Sequence, residues 1–270
     1  MGSAGNKGNI APSLGISRSN LYYKLKQPEK DWETKIKIEE ALRYHRSYGH
    51  KRLADHLHMG KNRVKRAMKL FDIKPYRRRG KKWRSGAAGG IDYPNLIKDV
   101  DPLYPNHIWA SDFTYLWFMG AWLYLATIID LYTRKIVGLA ISRSHDRWLV
   151  QTALFDALCY NPRPLIGHSD QGSEYKSRVY QGTLSEFGIQ CSMSAKGCPW
   201  ENGYQESFYS QFKIELGDPR RFKSLGELTA ELYKQIHYYN NERLHTSLNM
   251  APNAFARQYD MLNNVVQFVS

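Results

Sequence analysis

What the chain lacks narrows it first. Its three cysteines, Cys159, Cys191 and Cys198, are an odd number in 270 residues and show no C-x-x-C spacing. A disulfide framework and a cysteine-built zinc site are therefore not expected. No apolar run approaches the roughly 18 residues that a membrane-spanning helix needs. The first residues lack the apolar core of a secretion signal. A cytoplasmic protein with no membrane partner is expected. Acidic residues are also scarce: 25 Asp and Glu stand against 39 Lys and Arg, giving a net charge of +14 and a pI near 9.6. That imbalance favours a polyanionic partner, nucleic acid first and an anionic membrane surface second. Internal repeats are absent, and the one low-complexity stretch is the glycine-rich segment 85–90, which reads as a flexible linker. Apolar residues make up 42% of the chain, enough for a large domain with a smaller one attached.

The N-terminal third is helical and basic. Residues 13–26 read either as the second half of a helix-turn-helix or as a generic amphipathic helix. Ser17 would be its N-cap, and Leu21 and Leu25 share a face. Periodicity predicts further helices over 33–45, 51–59 and 62–71, the second ended by Gly60. In the third, Val64, Met68 and Leu70 or Phe71 point inward, while Arg63, Lys65, Arg66 and Lys69 point outward. Three short helices closing on a basic one suit a helix-turn-helix, whose last helix enters the major groove. A small bundle with a solvated basic face is the plainer alternative. Residues 74–84 follow, with seven basic residues in eleven and Tyr76 and Trp83 interleaved. Arg77, Arg78, Arg79, Lys81, Lys82 and Arg84 would neutralise phosphates regardless of base sequence. Such a run is also found simply as a solvated segment.

Beyond His107 the pattern changes. Strands are predicted over 108–116, 122–130 and 135–142, with turns at Gly120 and at Thr133-Arg134. A helix follows over 148–160, with Leu149, Leu154 and Leu158 on its buried side and Pro162 and Pro164 ending it. A short strand over 165–168, a helix over 179–187, a strand over 189–194 and helices over 201–216 and 225–241 complete the reading. Sequential strands followed by alternating helices and strands imply an α/β fold with a mixed sheet. The expected domains are a helical DNA-binding region over 1–73, a basic linker over 74–106, an α/β domain over 107–216 and a helical extension over 217–270.

Three acids stand out against this basic background. Asp112 lies inside the first strand among Trp109, Phe113 and Tyr115, where a carboxylate is costly unless paired or metal-bound. Asp170 follows the fourth strand, where an α/β sheet opens to a ligand crevice. Glu206 lies in the helix after the Gly197-Cys-Pro loop. Singly, Asp112 reads as a turn cap, Asp170 as a turn residue before Gly172, and Glu206 as a surface acid. Together they can gather hard divalent cations for phosphoryl transfer. On a continuous helix Asn202, four residues before Glu206, and Lys213, seven after it, share its face. Asn202 and Lys213 are thus candidates to touch DNA, or plain surface residues. Glu201 lies about 140° around the helix and drops out.

Several separated motifs carry a resemblance. They are Trp109-Ala-Ser-Asp-Phe-Thr-Tyr115, Trp122-Leu-Tyr-Leu-Ala126, Ile129-Asp-Leu-Tyr-Thr-Arg-Lys-Ile-Val-Gly138, His168-Ser-Asp-Gln-Gly-Ser-Glu-Tyr175, Glu206-Ser-Phe208 and Tyr239-Asn-Asn-Glu-Arg-Leu-His245. Between Asp170 and Glu206 lie 35 residues. Residues 107–258 resemble the catalytic core of the retroviral-integrase superfamily and, more closely, the second-frame transposases of the insertion-sequence-three family. Tyr48-Gly-His-Lys-Arg-Leu53 and Asn62-Arg-Val-Lys-Arg66 resemble that family's second helix-turn-helix. The resemblance implies a ribonuclease-H-like core and two Mg²⁺ ions, or Mn²⁺, on Asp112, Asp170 and Glu206. It implies cleavage and strand transfer at the inverted-repeat ends of a mobile element. Water attacks first, then the freed 3′-hydroxyl, with no covalent protein–DNA intermediate.

The resemblance also implies double-stranded DNA at both element ends and target, a homo-oligomer on DNA, and a bacterial, nucleoid-associated location. Retroviral integrases carry a zinc module of two His and two Cys. Here His45, His50, His56 and His58 have no cysteine before Cys159, so no zinc is expected. No heptad zipper is visible, so the chain reads as a second-frame portion with the upstream-frame product as a possible partner. His245 occupies a recurrent family position without a derivable role. Two other readings stand beside this one: a non-catalytic DNA-binding regulatory protein derived from a transposase, and a nuclease without strand transfer.

Overall fold

Pro28 opens the first helix, as its fixed φ and missing N–H suit a first turn. The helix therefore begins at Gln27, ahead of the start at residue 33 that periodicity predicts. The structure is a computed structural model that describes residues 15, 27–76, 93–98, 100–195 and 198–269. Helix α1 spans Gln27–Tyr44, α2 His50–His56 and α3 Lys61–Leu70. The expected helix over 13–26, the basic run from Arg77 to Arg84 and the linker over 85–90 lie outside the described residues. The described chain divides into two units. One comprises 27–44 and 48–75; the other holds 45–47 with the residues from 76 onward.

In the first unit, Ile38, Ala41, Tyr48, Leu53, Ala54, Val64 and Ala67 form a small buried centre. Of the two alternatives for the last inward position, Leu70 is exposed and Phe71 half-buried; Met68 is half-buried, and Ala67 is fully buried beside Val64. Arg63 and Arg66 do not simply project outward. The Arg63 Nε donates to Thr34 Oγ1 at 2.8 Å, and the Arg66 guanidinium donates to Asp31 Oδ1 at 2.6 Å. These two arginines fasten α3 to α1, while Lys61, Lys65 and Lys69 of the same helix are exposed.

The second unit is built on a five-stranded sheet ordered β3-β2-β1-β4-β5. Its strands are β1 Ile108–Phe118, β2 Ala121–Asp130, β3 Ile136–Ser142, β4 Ile166–Ser169 and β5 Gln190–Met193. The first three form an antiparallel meander, while β4 joins β1, and β5 joins β4, in parallel. Met119 and Gly120, at φ 48° and 78°, make the tight β1–β2 turn that right-twisted hairpins favour. Arg134, at φ 62°, lies in the β2–β3 turn, where Asp130 accepts hydrogen bonds from the Tyr132 and Thr133 amides.

Helices cover both faces of the sheet. On one face α4 (Arg147–Tyr160) and α5 (Arg178–Glu186) pack Leu149, Ala153, Leu154 and Leu184 against Trp109, Ala126 and Ile128. Gly138 permits this approach: a Cβ there would lie 2.4 Å from the Ala153 carbonyl oxygen. On the other face α6 (Gly203–Leu216) and α7 (Leu225–Asn241) pack Phe208, Phe212, Leu232 and Ile236 against Ile108, Ala110, Leu116 and Leu125. A last helix, α8, spans Pro252–Val269, again opened by a proline. Among the described residues no helix is long and apolar enough to cross a membrane.

Candidate active site

Strand register places the first two acids together. In the parallel pair β1–β4, Ala110 lies opposite His168. Asp112 and Asp170 each follow two residues later in their own chains. They therefore lie two residues past the last paired position of strands that run about 4.8 Å apart, Asp112 within β1 and Asp170 just after β4. Asp112 belongs to the alternation that includes Ile108, Ala110 and Leu116, the set facing α6. Glu206 is carried by α6 itself.

Electrostatics link Asp112 to the other two. Loss of water around the Asp112 carboxyl raises its pKa, and the Asp170 charge adds to this. The Phe113 amide opposes the shift, the Glu206 charge reinforces it and Lys213 opposes it, leaving Asp112 at about 8. Asp170 is raised by partial desolvation, opposed by the Gly172 amide, although its overall residue surface is exposed. Desolvation also raises Glu206. The acids share one neighbourhood without closing into a cage. Among the described residues no three His, Cys, Asp or Glu side chains are gathered tightly enough to hold a metal ion.

The backbone around each acid is fixed. Asp112 Oδ1 accepts from the Phe113 amide at 2.8 Å, and Asp170 Oδ1 accepts from the Gly172 amide at 3.0 Å. Helix α6 is clamped to the sheet by Gln205, fully buried one residue before Glu206. Its Nε2 donates to the carbonyls of Ala110 at 2.6 Å and Thr127 at 3.0 Å, and its Oε1 accepts from the Thr127 hydroxyl. The Tyr209 hydroxyl, one turn on, donates to the Asp112 carbonyl at 2.7 Å and accepts from Thr127. Gln205, Thr127 and Tyr209 do not stand out in the sequence as site residues. Their only signal there is proximity to Glu206 and Asp112, because polarity alone does not reveal which helix residues are buried.

The residues expected to touch DNA are placed unequally. A 3₁₀ turn, Pro199–Asn202, precedes α6, so the helix does not run continuously from Glu201. Asn202 is consequently turned inward: it is 5% exposed, and its Nδ2 donates to the Ser111 carbonyl at 3.2 Å. It does not share the outer face expected for it. Lys213 Nζ lies 5.0 Å from the centre of the Tyr115 ring. Glu201, which helix geometry sets aside, accepts from the Ala195 amide at 2.7 Å. Gly197 lies outside the described residues. His245 pairs with Met250 across a tight turn, its amide donating to the Met250 carbonyl at 3.0 Å.

His168 supports the strand from which Asp170 emerges. It is fully buried, with Nδ1 2.8 Å from Ser192 Oγ and Nε2 3.0 Å from Ser194 Oγ. Burial pushes its pKa down to about 4, against a weaker upward pull from Glu201. An unfolded histidine titrates near 6.5. The folded form therefore binds fewer protons between these values, and stability falls as pH drops from about 6.5 to about 4. The expected loss is roughly 3 kcal/mol, complete below about pH 4. Urea denaturation at pH 7.5, 5.5 and 4.5 checks this by comparison with His168→Gln. The difference between the two proteins should shrink or invert towards low pH; a constant difference would assign the acid sensitivity elsewhere.

Known proteins share this architecture. An integrase core domain model matches residues 102–199, and a second integrase core model matches residues 187–252. The transposase for insertion sequence element IS904 of Lactococcus lactis is 37% identical over 226 residues, covering 79% of this chain and 88% of that protein. Transposase InsF for insertion sequence IS3fB of Escherichia coli is 37% identical over 167 residues, covering 60% of this chain and 58% of that protein. The simian T-cell lymphotropic virus intasome, solved in complex with PP2A regulatory subunit B56 gamma, matches with a TM-score of 0.52 at 16% identity. That match covers 77% of this chain and 74% of the other, and the likeness is one of fold.

Proposed function

Because the chain belongs to the insertion-sequence-three family of transposases and carries their integrase core, we propose that Asp112, Asp170 and Glu206 hold two divalent cations for DNA cleavage and strand transfer. Mg²⁺ is the natural ion and Mn²⁺ a substitute. The observation that supports this reading is the β1–β4 register, Ala110 opposite His168, from which Asp112 in β1 and Asp170 just past β4 each follow two residues later, with Glu206 on α6.

The chemistry of the donors suits such ions, around which the three carboxylates would draw closer than they stand here. All three groups offer hard oxygen ligands. The Asp112 carboxyl is held up at about 8 first by desolvation and then by its acidic neighbours, a penalty that a cation relieves. Asn202 Oδ1 is buried without a protein donor, an acceptor suited to water in an ion's hydration shell. When bound, the cations would neutralise charge developing on the attacking and leaving oxygens.

The chain's own residues contribute positioning. Gln205 and Tyr209 fix α6 and the Asp112 backbone relative to β1 and β2, so Glu206 and Asp112 keep their separation. The Phe113 and Gly172 amides orient the two aspartates. Lys213 supplies a cation at the same edge for a phosphate. The scissile phosphodiester is first opened by water, forming a phosphorus–oxygen bond and breaking that to the 3′-oxygen. The released 3′-hydroxyl then attacks a target phosphodiester in the same sense. In-line placement accounts for much of the catalysis.

The same reading assigns double-stranded DNA, as element ends and target, to Lys65, Lys69 and the basic run Arg77, Arg78, Arg79, Lys81, Lys82 and Arg84. It also assigns assembly into a homo-oligomer on DNA, a possible upstream-frame partner and a place beside the nucleoid. Incubation of the protein with its element's end DNA and a target plasmid tests the chemistry. Nicked and joined products are expected with Mg²⁺ and none in EDTA. Binding to ends with no cutting in either metal, even after the upstream-frame product is added, would instead support a non-catalytic DNA-binding protein.

A further inference from the structure

The β1–β2 hairpin outruns the rest of the sheet. Strand β4 pairs with β1 only over Ile108–Ala110, and β3 pairs with β2 only as far as Tyr124. The arm beyond has two unlike faces. Leu116, Phe118 and Leu123 face the core that α6 and α7 cover. On the opposite face Tyr115, Trp117 and Trp122 are 47%, 49% and 44% exposed. These three rings form one aromatic surface: Trp122 lies 5.0 Å from Tyr115 and 4.8 Å from Trp117, edge to face. Exposed aromatic surface of this kind on a basic protein marks an interaction site rather than ordinary surface composition.

Its position identifies the occupant. Tyr115 is three residues beyond Asp112 on the same strand, on its other face, and the Lys213 ammonium of α6 lies 5.0 Å from its ring centre. No charged side chain interrupts the hairpin between residues 113 and 129. A surface of Tyr and Trp faces, with a cation at the end nearest the acids, suits unpaired bases on a polyanionic backbone. The net charge of +14 favours a nucleic-acid strand as the occupant. We propose that the outer face of this hairpin is a stacking platform for unpaired nucleobases next to the scissile phosphate. This deepens the transposase reading, because it rests on the acids being the cutting site. On this assignment Tyr115, Trp117 and Trp122 hold open a DNA strand that has left its duplex, keeping the bond to be cut in register with Asp112.

The test compares two fluorescein-labelled probes in EDTA by anisotropy: a blunt 20-base-pair duplex, and the same duplex with a tail of ten unpaired thymidines. The wild-type chain should prefer the tailed probe by roughly tenfold or more, the scale of one or two stacked bases. Replacing both Trp117→Ala and Trp122→Ala should remove that preference and leave blunt-duplex affinity unchanged. The paired changes Trp117→Phe and Trp122→Phe keep aromatic rings and should retain most of it, which separates lost stacking from lost folding. Tryptophan emission of the wild type should be quenched by the tailed probe more than by the blunt one.

Equal affinity of the wild type for both probes overturns the proposal, as does a preference that survives the alanine changes. A wild-type dimer that dissociates in the alanine variant would give the face to a second copy instead. The EDTA measurement does not depend on cutting. If the tail preference stands while Mg²⁺ yields no cleavage, the platform holds and the catalytic reading fails. If cleavage occurs without a tail preference, the catalytic reading holds and the platform is lost.

Discussion

Asp170→Asn is expected to reduce both nicking and joining by roughly 10³-fold or more, while leaving affinity for end DNA intact or slightly raised. The substitution is nearly isosteric. Its amide oxygen can still accept from the Gly172 amide, so the turn after β4 should persist. What disappears is one full negative charge from the proposed cation-holding set, and with it several kcal/mol of charge stabilisation of the transition state. Removing a negative charge beside a bound polyanion can only ease its approach. Product formation on labelled end DNA measures the first effect and anisotropy in EDTA the second. A thermal-shift titration supplies a readout apart from activity. Mg²⁺ should raise the wild-type melting temperature through preferential binding to the folded state, and should raise that of Asp170→Asn little or not at all. Cutting by the variant within about tenfold of the wild-type rate would remove Asp170 from the catalytic set and reopen the assignment of all three acids.

The spacing that made Asp170 and Glu206 legible did so because sequence records which side chains are present and how far apart they are along the chain. Strand alternation in β1 and the Met119-Gly120 turn were also readable, since both follow from local rules. Helix starts were less so. Pro28 and Pro252 open helices whose first turns carry no strong apolar period, and the final helix is visible in sequence only as a helical extension. Asn202 differs from expectation for a related reason. Sharing a face with Glu206 requires an unbroken α-helix, whereas the Pro199–Asn202 turn winds more tightly and rotates Asn202 into contact with Ser111. Arg63 and Arg66 show a further limit. A basic helix face reads as open in sequence, but Thr34 and Asp31 on a neighbouring helix claim both guanidinium groups. Long-range pairing of this sort leaves no periodic trace. For the same reason the bonds from Gln205 to the carbonyls of two strands, and those of the Tyr209 hydroxyl, are invisible in sequence.

Gln205 should therefore prove nearly as costly to change as an acid, though by a different route. In Gln205→Leu the volume is kept, but the carbonyls of Ala110 and Thr127 and the Thr127 hydroxyl each lose a buried partner. A buried polar group left unsatisfied costs about 1–3 kcal/mol. Tyr209 still bonds the Thr127 hydroxyl, so the loss is carried mainly by the two carbonyls and should total roughly 3 kcal/mol. Urea denaturation at pH 7.5 measures it. Gln205→Glu should be worse, since it points a carboxylate at two carbonyl oxygens and must be protonated to donate even one hydrogen bond. Thr127→Val combined with Gln205→Leu should cost less than the sum of the single changes, because the two side chains share a bond that either substitution already removes. At temperatures where the Gln205→Leu chain stays folded, cleavage should still fall while DNA affinity holds, because Glu206 is the next residue on a helix that has lost the Gln205 bonds to β1 and β2 and keeps those of Tyr209. If the variant lost stability but kept full cleavage, the Gln205 clamp would serve the fold alone, and the placement of Glu206 would have to come from the Tyr209 bonds and the apolar contacts of Phe208 and Phe212.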